Sequence, residues 1–128
     1  MEYSSQQSIN LFNGVTLTAA FSGNRKTFTT EGFSALSLDV AYDMHASETA
    51  NTIDWQLEGS SDNTNWYSLS IDSTSTVSTI TDRVWQMLEG NRNIVVDINY
   101  KYMRMSVRES GVATTFGTAT VTATLMNE

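Results

Sequence analysis

The sequence contains no cysteine and only one histidine. Without cysteine there can be no disulfide framework, no thiolate zinc site and no thiol nucleophile, and the redox compartment stays undetermined. The single histidine, His45, excludes a metal site with several histidine ligands and leaves one possible base for a Ser-His-Asp triad. We predict no catalytic residue, no cofactor and no metal site.

Proline is also absent, and so are long apolar segments. No apolar stretch approaches the roughly 20 residues that a membrane-spanning helix requires. Residues 1–7 lack the basic region and the following apolar block of a secretory signal peptide. We therefore expect a protein that is made and used, or assembled, in a cytoplasm and that has no membrane partner.

Basic residues are scarce. Seven Lys and Arg residues stand against fourteen acidic ones, which gives a formal net charge of −7 and a sequence pI of about 4.5. A nucleic-acid-binding surface needs a stripe of positive charge, because its ligand is a polyanion. The composition therefore argues against nucleic acid as a partner.

Serine and threonine are abundant, with 34 residues together, while charged residues make up only 16% of the chain. Threonine favours strands and serine favours turns, so this balance favours an all-β domain. The hydrophobic fraction of 40% is too high for a disordered chain, and 128 residues is the usual size of one domain. We predict a polar N-terminal arm over residues 1–8 and a single β-sandwich domain over residues 9–128.

Apolar residues alternate with polar ones along most of the chain, which is typical of strands with one buried face. The alternating ranges are 9–21, 36–44, 53–57, 67–71, 103–107 and 121–125. Turn residues separate these ranges at the spacing of a sandwich or barrel. We predict an antiparallel two-sheet β-sandwich, jelly-roll-like, with about eight to ten strands.

Three segments leave their local structure open. Asn13-Gly14 is a strong hairpin signal, yet a two-residue hairpin would mix polar and apolar residues on each face. We therefore favour a continuous strand with a bulge at Gly14. Residues 82–90 fit either a short helical turn or a strand over 84–87. The Ser/Thr-rich residues 73–81 predict a polar edge strand or an exposed loop.

Three groups of polar residues could carry chemistry, and each has a simpler structural explanation. His45 follows an alternating range, so we expect a solvated loop histidine. The polar segment 62–65 offers oxygen ligands for calcium but lacks the glycine and distal glutamate of a calcium loop, and a tight Asx turn is the simpler interpretation. Asp39 and Asp43 lie on the polar face of one strand, whereas a hydrolytic pair needs one carboxyl in an apolar pocket.

Aromatic residues suggest a different kind of site, a platform on which a sugar ring could stack. The candidates are Trp55, Trp66, Trp85, Tyr67, Tyr100 and Tyr102. Trp55 occupies an apolar position of the alternating range 53–57, so it is expected in the core. Trp66 and Tyr102 fall off the apolar phase, so one of them is expected at the surface. Packing in the core or between subunits remains the alternative for the set. Arg104 and Arg108 share a strand face with Tyr102 and could pair with acidic residues of a neighbouring subunit.

The segment LEGSSDNTNWYSL at 57–69, with the later strand YKYMRMSV at 100–107, resembles small β-sandwich proteins of tailed-phage virions. Discoidin-like and carbohydrate-binding sandwiches carry a similar hairpin. This hairpin consists of a tight turn followed by a tryptophan, here Trp66, that anchors the returning strand. The commonest form has glycine after Asp62, where this chain has Asn63, another residue that tolerates the left-handed conformation.

The resemblance implies a non-enzymatic structural virion protein of a tailed phage, either a capsid decoration (cement) protein or a head–tail accessory subunit. Such a protein would form a homo-oligomer, bind major capsid or other virion proteins, and reside in the virion after assembly in the host cytoplasm. The alternative is a carbohydrate-binding β-sandwich module for adhesion to host-surface glycans, with Trp66, Tyr67 or Tyr102 stacking on a sugar. A hydrolytic enzyme ranks last. The resemblance assigns no ligand-binding residue, so these stay unknown.

Overall fold

The computed structural model describes residues 6–69 and 84–127, and this part of the chain forms nine β-strands and one short 3₁₀ turn. The strands are β1 (Gln6–Thr16), β2 (Arg25–Thr29), β3 (Ala35–Asp43), β4 (Thr52–Ser60), β5 (Tyr67–Ser68), β6 (Trp85–Met87), β7 (Gly90–Asp97), β8 (Tyr102–Ser110) and β9 (Thr118–Met126). The 3₁₀ turn, Phe21–Gly23, lies between β1 and β2. None of these residues belongs to a helix long and apolar enough to cross a bilayer.

The strands form two antiparallel sheets. The four-stranded sheet has the order β1-β9-β3-β7, and the five-stranded sheet has the order β2-β8-β4-β5, with β6 also paired to β4. The pairing is nested, because the first strand pairs with the ninth, the second with the eighth and the third with the seventh. Successive pairs alternate between the sheets, as in an antiparallel ribbon that has been rolled up. This arrangement confirms the predicted jelly-roll-like β-sandwich.

The core lies between the two sheets and follows from the alternation in the sequence. Along β3 and β9 every second side chain is buried, and these side chains face the other sheet. The same alternation on β4 and β8 supplies the opposite wall, including Trp55, which is buried as predicted. The largest fully buried apolar side chains are Leu17, Leu36, Leu38, Ile53, Met103, Met105 and Leu125.

Strand β1 runs through Asn13 and Gly14 without a hairpin. Gly14 has a φ of 60°, in the left-handed region that favours glycine, and its N–H donates to Thr120 Oγ1 at 2.9 Å. The predicted bulge at Gly14 is confirmed. The register against β9 slips on both sides of Phe12, and as a result Leu11 and Phe12 are both buried although they are neighbours.

Strand β1 has other bounds than the alternating range 9–21, since it ends at Thr16 and Phe21 lies in the 3₁₀ turn. Strand β1 begins at Gln6, so residues 6–8, which were expected in the N-terminal arm, pair with β9 instead. Trp85–Met87 form strand β6, which decides between the helical and extended alternatives for residues 82–90 in favour of a strand. The Ser/Thr-rich residues 73–81 lie outside the described residues.

One buried carboxylate connects three segments at the end of the sandwich where β3 and β8 finish. Glu109, 2% exposed, accepts a hydrogen bond on Oε1 from the Gly117 N–H at 2.7 Å. Its Oε2 accepts from the Tyr42 hydroxyl and from Asn51 Nδ2. Burial, together with the hydrogen bond to Glu109, raises the pKa of the Tyr42 hydroxyl above its usual range. Three donors thus compensate the loss of water around the carboxylate.

We expect Glu109→Gln to lower the free energy of unfolding by about 1–3 kcal/mol. An amide has one acceptor oxygen and one donor nitrogen. With the nitrogen toward Gly117 two N–H groups face each other, and with the nitrogen toward Tyr42 the hydroxyl must accept and its own proton loses this acceptor. Tyr42→Phe removes only one donor and should cost less, about 1 kcal/mol. Urea denaturation followed by tryptophan fluorescence measures both. Equal stability of the Glu109→Gln variant and the unmodified protein would contradict this account.

Candidate functional site

Four aromatic residues assemble at the end of the sandwich where β4 finishes and β8 begins. Tyr67 pairs with Gly59 of β4, and Tyr102 pairs with Ser60. Trp66 directly precedes β5, and Tyr100 lies two positions before the start of β8. We call this cluster, Trp66, Tyr67, Tyr100 and Tyr102, the aromatic end. The sequence identified each residue as a candidate, and the antiparallel pairing of three strands brings them together.

Tyr67 and Tyr100 form a near-parallel pair. Their ring centroids lie 6.4 Å apart with an angle of 20° between the planes, and Tyr67 is 58% exposed. A Cβ atom at Gly59 would lie 2.2 Å from Tyr100 Cδ2, so the Tyr100 ring covers the glycine backbone directly. Gly59 therefore makes room for Tyr100, and Tyr100 supports the exposed Tyr67 ring.

The exposure of Tyr67 corrects the sequence prediction, which placed this residue on the apolar phase of a core strand. Strand β5 consists of only two residues and pairs with the last part of β4. The Tyr67 side chain therefore lies at the margin of the core and stays largely exposed. The alternation therefore predicted the strand face of Tyr67 correctly, but its implied burial in the core was wrong.

Trp66 lies against the outer face of the five-stranded sheet, where its ring packs on a guanidinium group. The Arg104 Cζ atom is 4.4 Å from the centroid of the ring. Arg104 also donates from Nε and Nη2 to the two carboxylate oxygens of Glu58, at 2.9 and 3.3 Å. Because the ion pair fixes the guanidinium plane, it also fixes the orientation of the indole ring.

The ammonium group of Lys101 lies near the ring of Tyr102. Lys101 Nζ lies 5.7 Å from the ring centroid and 3.9 Å from Glu31 Oε2. The side chains of Lys101 and Glu31 are 50% and 72% exposed, so this ion pair contributes little to stability. Lys101 thus places a solvated positive charge beside the aromatic end.

The loop before Trp66 is held by Asp62. Its Oδ1 accepts the N–H groups of Thr64 and Asn65 at 2.9 and 2.8 Å, and its Oδ2 accepts from Asn65 Nδ2 at 2.8 Å. These hydrogen bonds hold the pKa of Asp62 well below its usual range. Asn63 has a φ of 61°, the left-handed conformation that asparagine tolerates. The predicted Asx turn is confirmed.

The other polar candidates lie apart from the aromatic end. His45 is exposed between β3 and β4, with its Nδ1 2.8 Å from Ser47 Oγ. Asp39 and Asp43 are exposed on β3, and Asp39 Oδ1 accepts from Asn93 Nδ2 at 2.7 Å. Among the described residues, no group of three or more His, Asp or Glu side chains could hold a metal ion.

Arg104 and Arg108 pair with acidic residues of their own chain, which corrects the expectation of partners in a neighbouring subunit. Glu58 and Asp54 are their direct register partners on β4. Arg108 Nε donates to Asp54 Oδ2 at 2.9 Å, and Asp54 is fully buried although it faces outward. The sequence did not indicate this burial, because it depends on side chains from other strands that cover the sheet face.

No protein-family model and no curated protein matches the sequence. Among solved structures, the chain is similar to the M60 catalytic domain with the CBM51-1 and CBM51-2 domains of Clostridium perfringens ZmpB, with 14% identity and a TM-score of 0.51. It is also similar to the CBM51-2 and INT domains of ZmpB, with 12% identity and a TM-score of 0.50. CBM51-2 in complex with GlcNAc and with the INT domains has 14% identity and a TM-score of 0.49.

Each similarity covers 99% of this chain, but only 14% of the first structure and 30% of the other two. The chain therefore spans less than a third of the length of these relatives. At 12–14% identity the similarity shows the fold, a two-sheet all-β sandwich.

We expect the backbone amide signals of Thr64 and Asn65 to titrate with a midpoint below 3.8, the ordinary pKa of an aspartate. Since the pKa of Asp62 is lowered in the folded protein, its contribution to loop stability is present above pH 3.8 and disappears as the pH falls through the lower value. Two-dimensional ¹H–¹⁵N NMR between pH 5 and pH 2 measures this. In Asp62→Asn the titration should vanish, whereas a midpoint at or above 3.8 would refute the assignment.

We expect Gly59→Ala to destabilise the protein by about 1–3 kcal/mol, because the new methyl group would overlap the Tyr100 ring. The same substitution in a Tyr100→Ala background should cost less, since the ring is then absent. Thermal unfolding of the two single variants and the double variant measures the difference. Additive effects in the double variant would show that the ring is not what makes glycine necessary.

Proposed function

We propose that this chain is a non-catalytic carbohydrate-binding module that binds a sugar ring at the aromatic end. The observation that carries the proposal is the Tyr67–Tyr100 pair, two near-parallel rings of which one is 58% exposed. Aromatic faces bind the apolar faces of ligands, and binding sites join such surfaces to a few polar groups. In this assignment Tyr67 supplies the stacking surface and Tyr100 holds it in place.

The two loops beside the Tyr67–Tyr100 pair supply polar groups for sugar hydroxyls. Asn63 is exposed in the loop between β4 and β5, and Asn99 and Lys101 are exposed in the loop between β7 and β8. The Asp62 turn holds the first loop, and a fixed loop reduces the ordering cost of binding. A rigid aromatic surface with polar groups beside it fits a saccharide better than an extended apolar ligand.

The similarity to structures that contain CBM51 carbohydrate-binding modules supports a binding role of the same class. The placement of the catalytic candidates agrees with it, since His45, Asp39 and Asp43 are exposed and lie apart from the aromatic end. The aromatic end itself offers stacking and hydrogen bonding rather than an acid–base pair. The proposal therefore assigns recognition, and no bond cleavage, to this surface.

The virion assignment that the sequence resemblance implied stays a prediction, together with its capsid partners, its homo-oligomer and its location in the virion. The similar solved structures favour the alternative, the carbohydrate-binding module. Light scattering of the purified protein, alone and with capsids that lack it, tests the virion assignment directly. A glycan-binding protein of the virion surface would satisfy both assignments.

We expect the purified protein to be retained on an array of neutral glycans, and Tyr67→Ala to weaken this binding by about tenfold or more. Loss of one stacking ring removes about 1.4 kcal/mol. Val95→Ala is the matched control, because Val95 is 61% exposed on β7 in the other sheet and its loss should leave binding unchanged. Titration calorimetry with the best glycan gives the affinities. Equal binding by the Tyr67→Ala variant, or no retention of any glycan, would refute the proposal.

A further inference from the structure

The basic residues of this acidic protein are concentrated on one pair of strands. Five of its seven Lys and Arg residues lie on β2, on β8 or one position before β8: Arg25, Lys26, Lys101, Arg104 and Arg108. The chain as a whole carries a net charge of −7. A local excess of positive charge on such a protein attracts anions to that surface alone.

Three of these residues surround a buried serine on the outer face of the five-stranded sheet. Arg25 is the register partner of Ser106, and its Nε donates to Ser106 Oγ at 2.8 Å. Arg104 and Arg108 lie two positions before and after Ser106, so they share its face, about 7 Å away along the strand. Ser106 is fully buried. We call Arg25, Arg104 and Arg108 the arginine triad.

The charge of the arginine triad is only partly balanced. Arg104 pairs with Glu58 and Arg108 pairs with Asp54. Arg25 contacts the neutral Ser106 hydroxyl and takes part in none of the ion pairs among residues 6–69 and 84–127. Three guanidinium groups thus face two carboxylates, and the unbalanced group, Arg25, is exposed.

Two aromatic rings hold the paired guanidinium groups in place. The Trp66 ring lies 4.4 Å from Arg104 Cζ, and the Phe21 ring lies 4.2 Å from Arg108 Cζ. Planar guanidinium groups with fixed orientation suit carboxylate and sulfate groups, which they bind through paired N–H donors. Trp66 lies on the outer face with the arginine triad and directly precedes Tyr67 of the proposed sugar site, so the two surfaces adjoin at the β5 edge of the sheet.

We propose that the arginine triad binds a carboxylate or sulfate group of an acidic polysaccharide, and that a more distant sugar of the same polysaccharide stacks at the aromatic end. The choice of a saccharide rests on the proposed function, through the shared Trp66. The choice of an acidic group rests on the charge of the arginine triad and stands independently. Arg25 is the residue that makes the site positive, because the other two arginines are neutralised within the chain.

The test compares Arg25→Gln with Lys26→Gln. Both residues are exposed neighbours on β2, and each substitution removes one positive charge, but their side chains leave the strand on opposite faces. The probes are dextran sulfate, polygalacturonate and neutral dextran, measured by titration calorimetry at low and physiological salt. We expect Arg25→Gln to weaken binding of the acidic polymers about tenfold and Lys26→Gln less than threefold. Binding should weaken as salt is added.

Several outcomes would overturn the inference. Equal weakening by both variants would show unspecific attraction to the β2 edge. Free sulfate binding as tightly as dextran sulfate, per sulfate group, would exclude a polysaccharide ligand. If single-stranded DNA bound more tightly than either acidic polymer, and this binding depended on Arg25, the surface would be assigned to nucleic acid. Matching thermal unfolding midpoints of both variants exclude misfolding as the cause of any loss.

The two proposals can fail separately. Binding of neutral glycans that depends on Tyr67, without binding of either acidic polymer, would overturn the role of the arginine triad and keep the proposed function. Binding of the acidic polymers that depends on Arg25, without binding of any neutral glycan, would overturn the Tyr67 site and support the arginine triad.

Discussion

The antiparallel register of β4 against β8 positions nearly every feature of the five-stranded sheet. It sets Arg104 opposite Glu58 and Arg108 opposite Asp54, so each ion pair forms directly across the strands. A shift of one residue would turn the apolar row of residues 103–107 toward solvent and the arginines into the core. Packing between the two sheets therefore holds the register, and the register in turn places the charged and aromatic groups on the outer face and at the sandwich end.

Much of the fold could be predicted from the sequence, because the apolar residues recur with the period of a strand. This pattern correctly predicted two antiparallel sheets and a buried Trp55. The conflict at Gly14 was resolved by the same pattern, since only a continuous strand keeps the apolar residues on one face. The tight turn over residues 62–65 was predicted from its residue types, and Asn63 adopts the left-handed conformation with which its type is compatible. Each of these features is decided by neighbouring residues.

The candidate site was harder to predict, because it depends on contacts between strands far apart in the sequence. Tyr67 is exposed because β5 lies at the margin of the core, which alternation within the segment does not reveal. Asp54 is buried by side chains that other strands contribute. Glu109 lies just beyond the predicted alternating range 103–107, and its position continues the buried row that includes Met105 and Val107 on β8. That continuation was a usable signal for a buried acidic residue.

The nested strand order has a consequence for how the protein folds. Strand β9 lies between β1 and β3 and pairs with both, although it follows them by more than 70 positions. The four-stranded sheet therefore cannot close until residues 118–126 have left the ribosome. Topologies with such distant partners fold slowly, and the unpaired edges of β1 and β3 can meet other chains in the meantime. Nascent chains should accordingly be most vulnerable to aggregation just before β9 is synthesised.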